Sequence, residues 1–147
     1  MNNTNDVLIQ LMQILEDGTA GLTDAARRLD ELSCTAQAGT LRELAQQRIA
    51  FHEEMKKVAE ELGYNPPEAG TIVAKLHRGW MSIKDRISGD SPDGILEVAE
   101  QGEHHTVSVY EKVSTQDIPE LLRAAIVAQL AALRSAHENI KALLASR

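Results

Sequence analysis

The chain has 147 residues, 43% hydrophobic and 25% charged, which suits one domain with a sizeable core. Its formal net charge of −7 works against a nucleic-acid partner, because phosphate binding needs clustered Lys and Arg. The lone Cys34 excludes an internal disulfide and no apolar run follows a basic start, so the expectation is a cytoplasmic protein, neither secreted nor membrane-inserted.

One Phe, one Trp and two Tyr leave a core of Leu, Ile, Val, Ala and Met, a composition that favours packed helices. From Asp6, the residues Leu8, Leu11, Leu15, Leu22, Ala26 and Leu29 keep one helix face apolar, which predicts a first helix over 5–32. After a break over 33–39, the stripe Leu41, Leu44, Phe51, Met55, Val58 and Leu62 predicts a second helix over 39–62. Gly63 stands in the usual terminating position. Pro66 and Pro67 then open a connector over 63–91, in which Thr71 can cap a short helix over 71–88 carrying Ile72, Leu76, Trp80, Ile83 and Ile87 on one side. Pro92 or Asp93 starts a third helix over 92–114, outlined by Ile95, Leu96, Ala99, Thr106, Tyr110 and Val113. Pro119, a favoured first-turn residue, starts a fourth over 119–145 through Leu122, Ile126, Leu133, Ile140 and Leu144.

Two short loops and one connector of roughly 30 residues suit two helix hairpins joined by a crossover along the bundle, the layout of ferritin-like folds. A weak internal repeat agrees. Glu16, Asp17, Gly18 matches Glu100, Gln101, Gly102 at an offset of 84, and His52, Glu53 matches His137, Glu138 at 85. Duplication of one hairpin explains both offsets. The duplication is asymmetric: where the third helix carries Glu103 the first carries Thr19, and where the second carries Arg48 the offset of 85 places Leu133 in the fourth.

The order of motifs is distinctive: Asp17, Gly18; then Gln47, Arg48, Phe51, Glu54; then the run Leu76, His77, Arg78, Gly79, Trp80, Met81; then Gly102, Glu103, Tyr110; and finally His137. Over nearly the whole chain this resembles a bacterial family of ferritin-like four-helix-bundle proteins of unknown function. The resemblance implies an all-α ferritin-like four-helix bundle of two hairpins, with the short extra helix inside the long crossover. It implies no assigned reaction. Thr19 stands where the family pattern carries an acidic residue.

A carboxylate-bridged metal pair needs one Glu from each of two helices and Glu-x-x-His from the other two. That motif is missing: Ile49 precedes His52 by three and Arg134 precedes His137 by three. Glu103 lies on or beside the core stripe of its helix and needs a partner. Arg48 and Gln129 fall within the stripes of the second and fourth helices, so a buried Glu103–Arg48 pair aided by Gln129 satisfies the group without metal. The alternative is a divergent site for iron or manganese formed by Glu103 with Glu16, Glu54, His52 and His137. The acids at the stripe edges, Asp17, Glu53, Glu100 and Glu138 among them, are expected to be mostly solvated. His104 and His105 point about 100° apart, so at least one belongs on the surface. His77, Arg78 and Trp80 form either an interaction patch or, with Trp80 in the apolar register, the means of docking the connector on the bundle.

No glycine-rich phosphate loop, Cys-x-x-Cys or Gly-x-Ser-x-Gly is present, and Cys34 has no identifiable base. The leading expectation is therefore a non-catalytic bundle acting through protein association, as a homodimer and without a cofactor. The rival is a di-metal carboxylate protein with metal-binding or oxidative activity. A third reading is a small-ligand binder in a cavity between bundle and connector.

Overall fold

The computed structural model describes residues 3–66 and 91–146. These form four helices and no strand: α1 (Thr4–Glu31), α2 (Thr35–Glu61), α3 (Pro92–Ser114) and α4 (Glu120–Ala145). Helix α1 packs along α2, and α3 along α4; α1 also meets α3, and α2 meets α4. The result is an all-α four-helix bundle. The short helix expected over 71–88, and with it His77, Arg78 and Trp80, lies outside the described residues, as does most of the connector.

Two helix ends follow from backbone chemistry. At the end of α2, Gly63 takes a positive φ of 81°, its N–H donates to the Glu60 carbonyl at 3.1 Å, and the Tyr64 N–H donates to the Ala59 carbonyl at 2.8 Å. This is a left-handed cap that satisfies otherwise orphaned carbonyls. The end of α1 repeats the pattern with Ser33 at φ 64°, bonded to Asp30 at 2.9 Å, and Cys34 bonded to Leu29 at 2.8 Å. The reversal is thus complete by Cys34, and α2 begins at Thr35, four residues earlier than the apolar stripe and Gly39 suggest. Gly39 is simply a helical residue. Pro119 occupies the cap position of α4, just outside the helix and not within its first turn.

Ser33 holds a conformation that costs a non-glycine residue about 1 kcal/mol or more. Ser33→Gly is expected to stabilise the protein by about 0.5–1 kcal/mol, measured as a shift in the urea midpoint at constant slope. No gain would mean that Ser33 is not confined to that conformation.

The core divides into two apolar clusters. One gathers Leu8, Leu11 and Leu15 with Met55, Tyr110, Leu122, Ile126 and Leu133. The other gathers Leu22, Ala26 and Leu29 with Leu41, Ala45, Leu96, Ala99 and Ile140. Each fully buried Leu or Ile contributes about 1.5–3 kcal/mol relative to exposure. Between the clusters in chain order fall Asp17, Arg48, Glu103 and Thr106, all buried and polar, while the buried Gln129 lies within the α4 span of the first cluster. A polar layer therefore crosses the bundle near mid-height.

Candidate functional site

Arg48 and Glu103 are both 0% exposed, and the Arg48 Nη2 donates to Glu103 Oε2 across the bundle from α2 to α3. Arg48 lies in the α2 stripe between Leu44 and Phe51, and Glu103 lies between Ala99 and Thr106. Both enter the interior because their neighbours one turn away do. The aliphatic stem of Arg48 runs past Gly18 of α1, where an added Cβ would sit 3.8 Å from Cγ. Burial pushes the Glu103 carboxyl above its ordinary range; Arg48 pulls it down by charge and hydrogen bonding, and His137 adds a smaller pull, but burial is the larger effect. Glu103 Oε1 and Arg48 Nε have no hydrogen-bond partner among the described residues.

Gln129 does not bond to Glu103. Its Oε1 accepts from the Tyr110 hydroxyl at 2.6 Å, and its Nε2 donates to Glu54 Oε1 at 3.0 Å and to the Phe51 carbonyl at 3.3 Å. It links α4 to α2 and α3 beside the ion pair, with one buried amide meeting both a donor and acceptors. Burial also holds the Tyr110 hydroxyl in its protonated form far above neutral pH. Asp17 departs from expectation: it is buried, not solvated, and its Oδ1 accepts from Gln13 Nε2 at 3.0 Å. Burial lowers the basicity of His105, opposed by the Asp17 charge and reinforced by neighbouring His104.

The two repeat-related histidines adopt the same arrangement. His52 Nε2 meets Glu16 Oε1 at 2.9 Å, tying α2 to α1, and His137 Nε2 meets Glu100 Oε2 at 2.6 Å, tying α4 to α3. All four side chains are partly exposed, between 14% and 27%. The Glu16–His52 pair borders a groove of about 380 Å³ between α1 and α2, lined also by Thr19, Ala20, Thr23, Ile49 and Glu53.

The expected metal ligands are consequently dispersed. Glu103 is held by Arg48, Glu54 by Gln129, His137 by Glu100, and Glu16 and His52 by each other. Among the described residues, no three His, Cys, Asp or Glu side chains stand as a group that could hold a metal ion. A ferritin-like di-metal centre does not fit these residues, because a guanidinium occupies the buried layer and repels any cation there. Reading each helix separately does not reveal Glu100 and Glu16 as histidine partners. The near-equal repeat offsets contain that signal, since the matched acids and the matched histidines sit on adjoining helices.

Fold and polar layer together define an all-α four-helix bundle bridged at its centre by a buried ion pair. Over residues 3–116 the chain matches the family described as a domain of unknown function, DUF2383, and it belongs to that family. No curated protein and no solved structure matches it. No helix among the described residues is long and apolar enough to cross a membrane.

Proposed function

We propose that this protein is a ferritin-like bundle, two hairpins joined by the crossover over 63–91, that acts by association with a second copy and not by catalysis. The observation that carries this reading is the Arg48–Glu103 pair. It fills the interior level where ferritin-like proteins build a carboxylate-bridged metal pair, and it engages the one glutamate buried among the described residues as a counterion. The remaining acids of the layer are hydrogen-bonded to amides or imidazoles and leave no convergent ligand set among the described residues.

Association is supported by the outer face of α4. Val127 is 56% exposed and Leu121 42%, and Ala124, Ala128 and Ala131 are exposed on the same helix. Small and aliphatic side chains at that spacing let another helix approach closely, and they lose little side-chain entropy on contact. Sedimentation of the full chain at micromolar concentration is expected to give twice the chain mass of 16.1 kDa, and Val127→Glu is expected to shift it to monomer. A wild-type monomer throughout the working range contradicts the association. Stoichiometric iron or manganese, lost on Glu103→Ala, contradicts the metal-free core.

A further inference from the structure

The two helix pairs carry the same histidine–carboxylate contact, but what stands beside it differs. Between α3 and α4, His104 sits against the His137–Glu100 pair, its ring centre 5.7 Å from that of His137 and the planes inclined at 53°. That is a tilted arrangement within the range that ring pairs favour. At the offset of 84 the residue matching His104 is Ala20 of α1, and at 85 the residue matching Arg134 is Ile49 of α2. A methyl group stands where the other pair has a ring, and an apolar chain where it has a guanidinium. Beside His52 the helices accordingly leave the groove of about 380 Å³, a volume toward the lower end of small-molecule sites.

We propose that the groove between α1 and α2 is a binding site for a small organic cation bearing a planar nitrogen ring, the ring seated beside His52 as His104 is seated beside His137. The existing contact stays closed: the ring packs against the groove side of His52, whose Nε2 keeps its 2.9 Å contact with Glu16. Ala20 and Ile49, the latter 44% exposed, supply apolar walls whose burial favours binding. Charge sets the sign of the ligand. Glu16 and Glu53 border the groove, the described residues lining it include no Lys or Arg, and the chain as a whole carries −7. A cationic arm is therefore attracted, and a phosphate or carboxylate repelled. Between α3 and α4 the Arg134 guanidinium opposes that local sign, so the matching seam offers no second site for a cation even without His104. The groove lies on α1 and α2, and the face proposed for association lies on α4, so the two readings stand or fall independently.

The test follows the His52 ring protons by NMR as the full chain is titrated with histamine, an imidazole ring on a short ammonium arm. Saturable binding is expected at low ionic strength, with a dissociation constant of about 1 mM or tighter. Propylamine, a cation without the ring, is expected to bind at least roughly tenfold more weakly. Two substitutions import the other helix pair's residues at exposed positions: Ala20→His occupies the ring position, and Ile49→Arg repels the cation. Each is expected to weaken histamine binding by at least roughly tenfold with the helix content unchanged by circular dichroism, whereas His104→Ala leaves binding intact. A dissociation constant weaker than about 1 mM overturns the proposal. So does propylamine binding as tightly as histamine, binding that survives both Ala20→His and Ile49→Arg, or binding that is lost in His104→Ala.

Discussion

Arg48→Met is expected to lower stability by about 3–5 kcal/mol at pH 8, with a much smaller loss near pH 5. The substitution keeps most of the aliphatic volume beside Gly18 but strips Glu103 of its only hydrogen-bonded counterion among the described residues. Burial already holds the Glu103 carboxyl above its ordinary value, and without Arg48 the two effects that Arg48 exerts downward are gone, so it rises further. A carboxyl whose folded-state pKa is raised contributes its full stability below its unfolded value and loses it as pH climbs through the folded value. The variant therefore recovers in acid, where Glu103 is neutral, and is weakest in alkali, where an unpaired carboxylate must stay buried. Urea denaturation at the two pH values reads this directly. A loss of equal size at both would show that Arg48 acts through packing alone.

Leu133→Ala is expected to cost about 2–5 kcal/mol with no pH dependence over the same interval. Leu133 is 0% exposed in the cluster that holds Leu15, Leu130 and Ile126, and it is the residue that the repeat offset of 85 pairs with Arg48. The two repeat-equivalent positions thus serve the core by different physics: an apolar side chain filling space in α4, and a guanidinium neutralising a buried acid in α2. Truncating the leucine leaves a cavity whose walls collapse only in part, and no titrating group is exposed or buried by the change. A loss for Leu133→Ala that varies between pH 5 and pH 8 would mean that this level of the core is coupled to Glu103, contrary to the division of labour described.

Much of the fold was legible because the helices are long and their apolar stripes persist over many turns. The third and fourth helices begin and end within a residue of the expected limits. The start of α2 was not legible: Ser33 in a left-handed conformation gives no compositional signal, whereas Gly39 gives a misleading one. The involvement of Arg48, Glu103 and Gln129 in the interior could be read from their places within apolar stripes. The partner of Gln129 could not, because whether an amide reaches Glu103 or Tyr110 depends on the rotation of α4 about its own axis. Asp17 shows the same limit. It is one residue from Glu16, yet a 100° turn of the helix puts one in the core and the other at a partly exposed histidine. Single-helix periodicity assigns faces to within about a residue, and at the boundary between core and surface that margin decides a side chain's chemistry.

The central claim, that a protein ion pair and not a metal centre completes the bundle's interior, is tested most directly by a double-mutant stability cycle of Arg48→Met and Glu103→Gln at pH 8. The account predicts that the double variant is more stable than the sum of the single losses implies, by about 1–3 kcal/mol, since each single change strands the other partner in the core. Additive losses would contradict it, because they would mean that these two buried residues do not depend on one another.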